Sequence, residues 1–264
     1  MEELRLSGYR ESLALWTRRI APPEHNPGLR ALAFEYSSRG DRAVGRLWLP
    51  MRPEGECPLV LLQPEGGCAS TPALGARWAE RGAAIASIDL PLHGSRADPK
   101  LATLVGTPFE PGTLASADAL RFELLRQTVI DLERALDALC TLDEIDRDRI
   151  AYAGLGLGAL IGSIFCGLDP RPCAAALAGA GAGLAPPSLD PGTYVGRFSP
   201  RPLLLIHTEG SPRIPREAAL ALSTAAGEGV EQRWLANGSD AAEAPLDPMW
   251  DFLADAIALE ASPR

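Results

Sequence analysis

Residues Arg149-Ile-Ala-Tyr-Ala-Gly-Leu-Gly-Leu-Gly-Ala-Leu160 read as a buried strand turning sharply into a helix, with Gly156 at the tip of the turn. The spacing is that of G-x-S-x-G, in which a strained strand-to-helix turn lifts a serine hydroxyl clear of the sheet to attack a carbonyl. Gly154 and Gly158 keep the frame, but Gly156 stands at the nucleophile position and brings no oxygen or sulfur to the reaction. The same run also fits G-x-G-x-x-A, the turn that lets a dinucleotide pyrophosphate approach a helix amino terminus. A dinucleotide site needs an acidic residue at the end of the next strand to hold the ribose, and Ala174-Ala-Ala-Leu-Ala-Gly-Ala180 ends without one. A nucleotide-binding oxidoreductase therefore ranks last among the readings, and no cofactor is expected.

The other residues able to do chemistry are few. The three histidines are His25, His93 and His207, so none follows position 207. Asp89 and His93 fall in one loop after an apolar run, and Glu65 and Asp240 are expected at the same edge of the sheet, where the four could form a weak metal or proton-transfer site. A structural role for Asp89 and His93, satisfied by backbone hydrogen bonds, outweighs that reading, and no metal is expected. His207 ends an apolar run and is expected to be a packed, hydrogen-bonded core residue. Cys68, beside the loop 63–67, is the most plausible substitute nucleophile, although no base is evident for it.

These residues need a scaffold. A short amphipathic helix is expected over residues 12–20, ended by Pro22-Pro23, which makes residues 1–28 a helical extension of a single domain at 29–264. Two antiparallel strands follow near 31–36 and 44–49 around the turn Ser38-Arg-Gly-Asp41. Pro58-Leu-Val-Leu-Leu62 and Gly82-Ala-Ala-Ile-Ala-Ser-Ile-Asp-Leu90 read as buried parallel strands, the first followed by a helix through Trp78. Phe122, Leu125, Val129, Leu132, Leu136 and Leu139 step by three and four along a long helix. Strands at 173–177, 202–207 and 230–235 alternate with helices at 216–226 and from Asp247, where Asp247 is expected to cap and Pro248 to open the last helix. Such alternation implies a mostly parallel sheet with helices on both faces. Segments 97–117 and 179–200 are loop-sized, so a minimal lid is expected.

The chain has 264 residues, 46% of them hydrophobic, enough for one large α/β domain. A net charge of −9 without a basic run argues against nucleic-acid binding. No apolar run approaches the length of a membrane span, and no apolar stretch follows Glu2, Glu3 and Arg5 as a secretory signal would require. Five cysteines without a C-x-x-C pair suit reduced thiols, hence a cytoplasmic setting.

Three segments, RGAAIASIDLPLHGSR, LDEIDRDRIAYAGLGLGAL and RPLLLIHTEGSPRIP, together resemble the α/β-hydrolase superfamily, in particular dienelactone-hydrolase-like and acylaminoacyl-peptidase-like esterases. The resemblance spans roughly residues 30–260. It implies an α/β-hydrolase fold and a triad in the order nucleophile, acid, base. Carried onto this chain, those positions fall on Gly156, Ser211 and Ser239, so the triad is missing. The implied oxyanion donors are the N–H of Leu157 and one from the loop Gln63-Pro-Glu-Gly-Gly67, where Pro64 has none, leaving Glu65, Gly66 or Gly67. The expectation is a non-catalytic hydrolase homologue whose pocket, with His93 on its wall, binds a small acyl or carbonyl ligand or a protein partner. The alternative is an active hydrolase built on Cys68 or His93.

Overall fold

A computed structural model describes residues 14–20, 28–51, 55–68, 72–105, 115–238 and 244–259. Among them the strands are β1 (Leu15–Ile20), β2 (Leu29–Ser38), β3 (Asp41–Pro50), β4 (Cys57–Gln63), β5 (Ala84–Ile88), β6 (Ile145–Leu155), β7 (Pro172–Ala178), β8 (Leu203–Thr208) and β9 (Val230–Leu235). The helices are α1 (Pro72–Glu80), α2 (Pro99–Val105), α3 (Ala115–Leu139), α4 (Leu157–Leu168), α5 (Arg216–Ala226) and α6 (Leu246–Ala256). One sheet holds every described strand in the order β1-β2-β3-β5-β4-β6-β7-β8-β9. Pairing is antiparallel as far as β3 with β5 and parallel from β5 onward.

The parallel strands read as unbroken apolar runs because both faces are covered. Along β4, Leu59 and Leu61 face the layer of α3 and α4, while Val60 and Leu62 face the layer of α1 and α6. The stripe foreseen along α3 packs as expected: Val129, Leu132, Leu136 and Leu139 are fully buried, with Phe122 and Leu125 at its margin. On the opposite face Trp78 of α1 meets Trp250 of α6 with ring centroids 5.4 Å apart.

Three local expectations fail. Residues 15–20 form strand β1 and not a helix; residues 1–13 and 21–27 lie outside the described residues. Leu15 through Ile20 run antiparallel to Tyr36 through Ala31, so β1 satisfies the backbone edge that β2 would otherwise leave open. That long-range gain overrides the helical spacing of a short segment rich in β-branched and aromatic residues. The last helix begins at Leu246 with Pro245 at its N-cap position, and Asp247 instead sits in the first turn, 2.6 Å from Arg77 of α1. Segment 97–117 carries helix α2 and so is more than a bare loop.

One buried cluster was not visible in the sequence. Asp131 of α3, fully buried, accepts hydrogen bonds from Ser38 (2.5 Å), Gln127 (2.6 Å) and Arg96 (2.6 Å). Arg96 continues to Asp41 at 2.8 Å, tying the loop after β5 to the β2–β3 turn and to α3. A buried charge is tolerated only when paired and hydrogen-bonded in this way.

Candidate functional site

The turn at the end of β6 has the shape its spacing suggested. Gly156 adopts φ 55° and ψ −114°, a conformation L side chains rarely take, and is the N-cap of α4. Its N–H donates to Ala178 O at 2.9 Å, and its carbonyl accepts from Ala159 and Leu160. The flanking glycines are demanded by contact: a Cβ on Gly158 would lie 1.8 Å from Gln63 O, and one on Gly154 would lie 2.5 Å from Gly158 O. Strand β6 and helix α4 can cross β4 this closely only without side chains at those points.

A carboxylate lies directly beside the tip of the turn. A Cβ on Gly156 would lie 2.7 Å from Glu65 Oε2. Glu65, in the loop after β4, accepts two hydrogen bonds from Arg213, at 2.9 Å from Nη1 and 2.5 Å from Nη2. Those bonds hold the Glu65 carboxyl below the usual carboxylate range against the opposing effect of burial, and His93 acts in the same direction as Arg213. The carboxylate also lies by the amino end of α4, where the helix dipole favours negative charge. A bidentate carboxylate–guanidinium pair thus stands over the glycine tip.

Glu65, His93 and Leu157 line a cavity of about 990 Å³ at the carboxyl ends of the strands; Gly66 and Gly67 do not. Leu124, Leu125 and Leu160 supply much of its apolar wall, and Ala102 and Val105 of α2 close one side. His93 Nδ1 lies 2.9 Å from Pro91 O, which places the ring proton on Nδ1 and leaves Nε2 as the basic atom. Leu157, as the first residue of α4, has an N–H with no acceptor inside the helix, as an oxyanion donor requires.

Asp89 has the structural role that the sequence favoured. It accepts from Cys68 N (2.8 Å), Ser95 N (2.8 Å) and Ser95 Oγ (2.7 Å), joining the loops after β4 and β5. Burial opposes its ionisation, but the bonds from Ser95 and Cys68 prevail and keep its carboxyl below the usual range. Gly67 and Gly94, both at positive φ, curl around it: a Cβ on either would fall within 2.7 Å of Oδ1. Gly67 is therefore a loop-forming glycine.

Several expectations are corrected here. Cys68 is no substitute nucleophile: its thiol is buried, and burial together with Asp89 pushes its pKa up to about 12. His207 is packed but not hydrogen-bonded. Among the described residues neither ring nitrogen has a hydrogen-bond partner, the ring lies 4.9 Å from that of Trp234, and burial pushes its pKa down to about 4. Ser211 sits in the turn after β8, where Oγ accepts from Ile214 N at 3.2 Å, a turn-closing contact. Ser239 and Asp240 lie outside the described residues. Among the described residues no cluster of His, Cys, Asp and Glu is placed to hold a metal ion, and no helix is long and apolar enough to cross a membrane.

Sequence reasoning gave Glu65 a backbone-donor role or a place in a weak metal or proton-transfer site, and passed over Arg213 and Arg121. The position of Arg213, two residues past the acid position in the turn after β8, was the available signal. Arg121 stood beside Phe122 at the start of the α3 stripe. Its Nε donates to Val105 O at 2.9 Å, and the side chain lines the cavity.

No protein-family model and no curated protein matches the sequence. Solved structures do. An acetyl xylan esterase from Paenibacillus sp. R4 superposes with a TM-score of 0.75 at 17% identity, over 93% of this chain and 89% of that one. A putative dienelactone hydrolase from Klebsiella pneumoniae subsp. pneumoniae MGH 78578 gives 0.63 at 16%, over 94% and 100%. The fold is that of an α/β-hydrolase. A cold-adapted esterase from an Arctic intertidal metagenomic library shares it, with a TM-score of 0.66 at 18% identity over 89% and 94%. The strand-to-helix elbow at Gly156 follows a central strand of that fold, and the cavity lies above it at the carboxyl ends of the strands. The Glu65 carboxylate beside the α4 amino end argues against a pyrophosphate there.

Proposed function

We propose that this α/β-hydrolase-fold protein does not carry out serine-type ester or peptide hydrolysis and uses the elbow cavity to bind a small acyl or carbonyl ligand. One observation carries the reading: a glycine holds the nucleophile's backbone conformation, and the Glu65–Arg213 pair fills the space where a nucleophilic side chain would project. Without an attacking atom at that point, an oxyanion hole at Leu157 has no tetrahedral intermediate to stabilise and is left as a carbonyl-binding donor. The missing acid and base at Ser211 and Ser239 support the same conclusion.

The test is hydrolysis of a panel of p-nitrophenyl esters by the purified protein, alongside labelling by a serine-directed fluorophosphonate. No turnover above buffer and no label are expected. Turnover at rates typical of esterases would overturn the reading.

A second reading keeps a reaction at the site. His93, with Nε2 left basic, could act on a bound water as general base. Ester turnover that disappears in His93→Ala while Cys68→Ala retains it would favour this second reading.

A further inference from the structure

We propose that Glu65 makes the elbow cavity selective for ligands that carry an N–H beside their carbonyl, a carboxamide on a hydrocarbon body over the matching ester; the inference rests on the ligand-binding reading above. Glu65 lines the cavity, and its side chain keeps 46% of its surface exposed. A carboxylate offers about four lone-pair sites and no hydrogen to give. Arg213 takes one site on each oxygen, Nη1 donating to Oε2 and Nη2 to Oε1. Each oxygen therefore retains capacity for a further donor, and the cavity is where a ligand reaches it. The bonds from Arg213 also hold the Glu65 carboxyl below the usual carboxylate range, so near neutral pH it is an acceptor only.

Position makes this acceptor selective. Oε2 lies beside the Gly156 tip, where a Cβ would be 2.7 Å away, and the N–H of Leu157 is the next donor along the chain. A carboxamide answers both groups: its carbonyl oxygen accepts from Leu157 and its N–H donates to Oε2. An ester answers only the first. Its alkoxy oxygen sets lone pairs against an ionised acceptor, and covering that acceptor without supplying a donor leaves it desolvated and unpaired. A carboxylate ligand likewise has no hydrogen to give, and it adds a like charge. Much of the wall beyond is hydrocarbon: Leu92, Leu124, Leu125, Leu160 and Ile161 line it, and Thr128 turns its hydroxyl back onto Leu124 O at 2.7 Å. The body of the ligand is accordingly apolar.

The probes are hexanamide, methyl hexanoate, hexanoate and N,N-dimethylhexanamide, titrated calorimetrically into the full chain. Hexanamide is expected to bind saturably, and the ester and the carboxylate about ten-fold or more weakly, the effect of one charge-assisted hydrogen bond. N,N-Dimethylhexanamide keeps the carbonyl and loses both N–H groups, and should bind no better than the ester. Glu65→Gln keeps the side chain's size but removes the ionised acceptor, and should cut the amide's advantage over the ester to a few-fold. A change that only loosened the loop after β4 would weaken every probe together and leave that ratio intact. Amide and ester binding equally to the parent, or a ratio that survives Glu65→Gln, would overturn the assignment to Glu65 and leave the ligand-binding reading standing. Hexanoate binding more tightly than hexanamide would overturn it as well. If no probe binds, both the assignment and that reading fall.

Discussion

Gly156→Ala is the sharpest probe of the elbow. The new methyl group must sit on a backbone at φ 55° and ψ −114°, which costs a non-glycine residue roughly 1–3 kcal/mol. It must also displace Glu65, because its Cβ would lie 2.7 Å from Oε2 and 3.3 Å from the carboxyl carbon. Glu65 is the end of a flexible side chain and can swing away, but only by releasing Arg213. Both partners are about half exposed, so that pair contributes at most about 1 kcal/mol. The sum is a destabilisation of roughly 1–4 kcal/mol. Urea unfolding of the parent, Gly156→Ala, Glu65→Ala and the double variant forms a cycle that separates the two parts. In the Glu65→Ala background the methyl meets no carboxylate, so its cost should fall to the backbone strain alone. The two changes should therefore be less than additive, by up to about 1 kcal/mol. Strict additivity would refute the placement of Glu65 over the glycine, and a cost of zero would refute the strained elbow.

Asp89→Ala leaves the N–H groups of Cys68 and Ser95 without their acceptor and should destabilise by roughly 3 kcal/mol or more, measured by the same unfolding assay. At mildly alkaline pH, Cys68 should react with iodoacetamide far more slowly than free cysteine, since its pKa is about 12; mass spectrometry of the peptide reads this directly. Burial, with Asp169 and Asp137 nearby, raises Glu133 from 4.5 to about 7, against the opposing pull of Arg171. A raised folded-state pKa favours the protonated native form. Its stabilising contribution is therefore complete below about pH 4.5 and lost as pH rises through about 7. Glu133→Gln should stabilise the protein near pH 8 relative to the parent and leave it little changed near pH 4, as thermal unfolding across pH would show.

Local pattern made much of this molecule legible. The bounds of α5 and β9 follow from short apolar periodicities, and α3 from one long stripe, because each is decided by residues a turn or a pleat apart. The elbow was legible for the same reason, since three glycines at alternate positions report a backbone that must pass close to its neighbours. Failures came where a distant partner decided the outcome. Residues 15–20 became a strand only because β2 offered an edge. His207 was expected to find a hydrogen-bond partner, but packing against Trp234 of the neighbouring strand left none in reach.

From its sequence alone this protein is a mostly parallel α/β chain with three glycines at alternate positions in a strand-to-helix turn and no histidine beyond position 207. Those facts are matters of residue identity and local spacing, and folding does not alter them. What stands above the glycine was decided only in three dimensions. Glu65 and Arg213 are 148 positions apart, and neither carries a motif. They meet because the sheet order lays β4 beside β6 and brings the turn after β8 to the same edge, where a carboxylate beside the tip of α4 meets a guanidinium able to hold it.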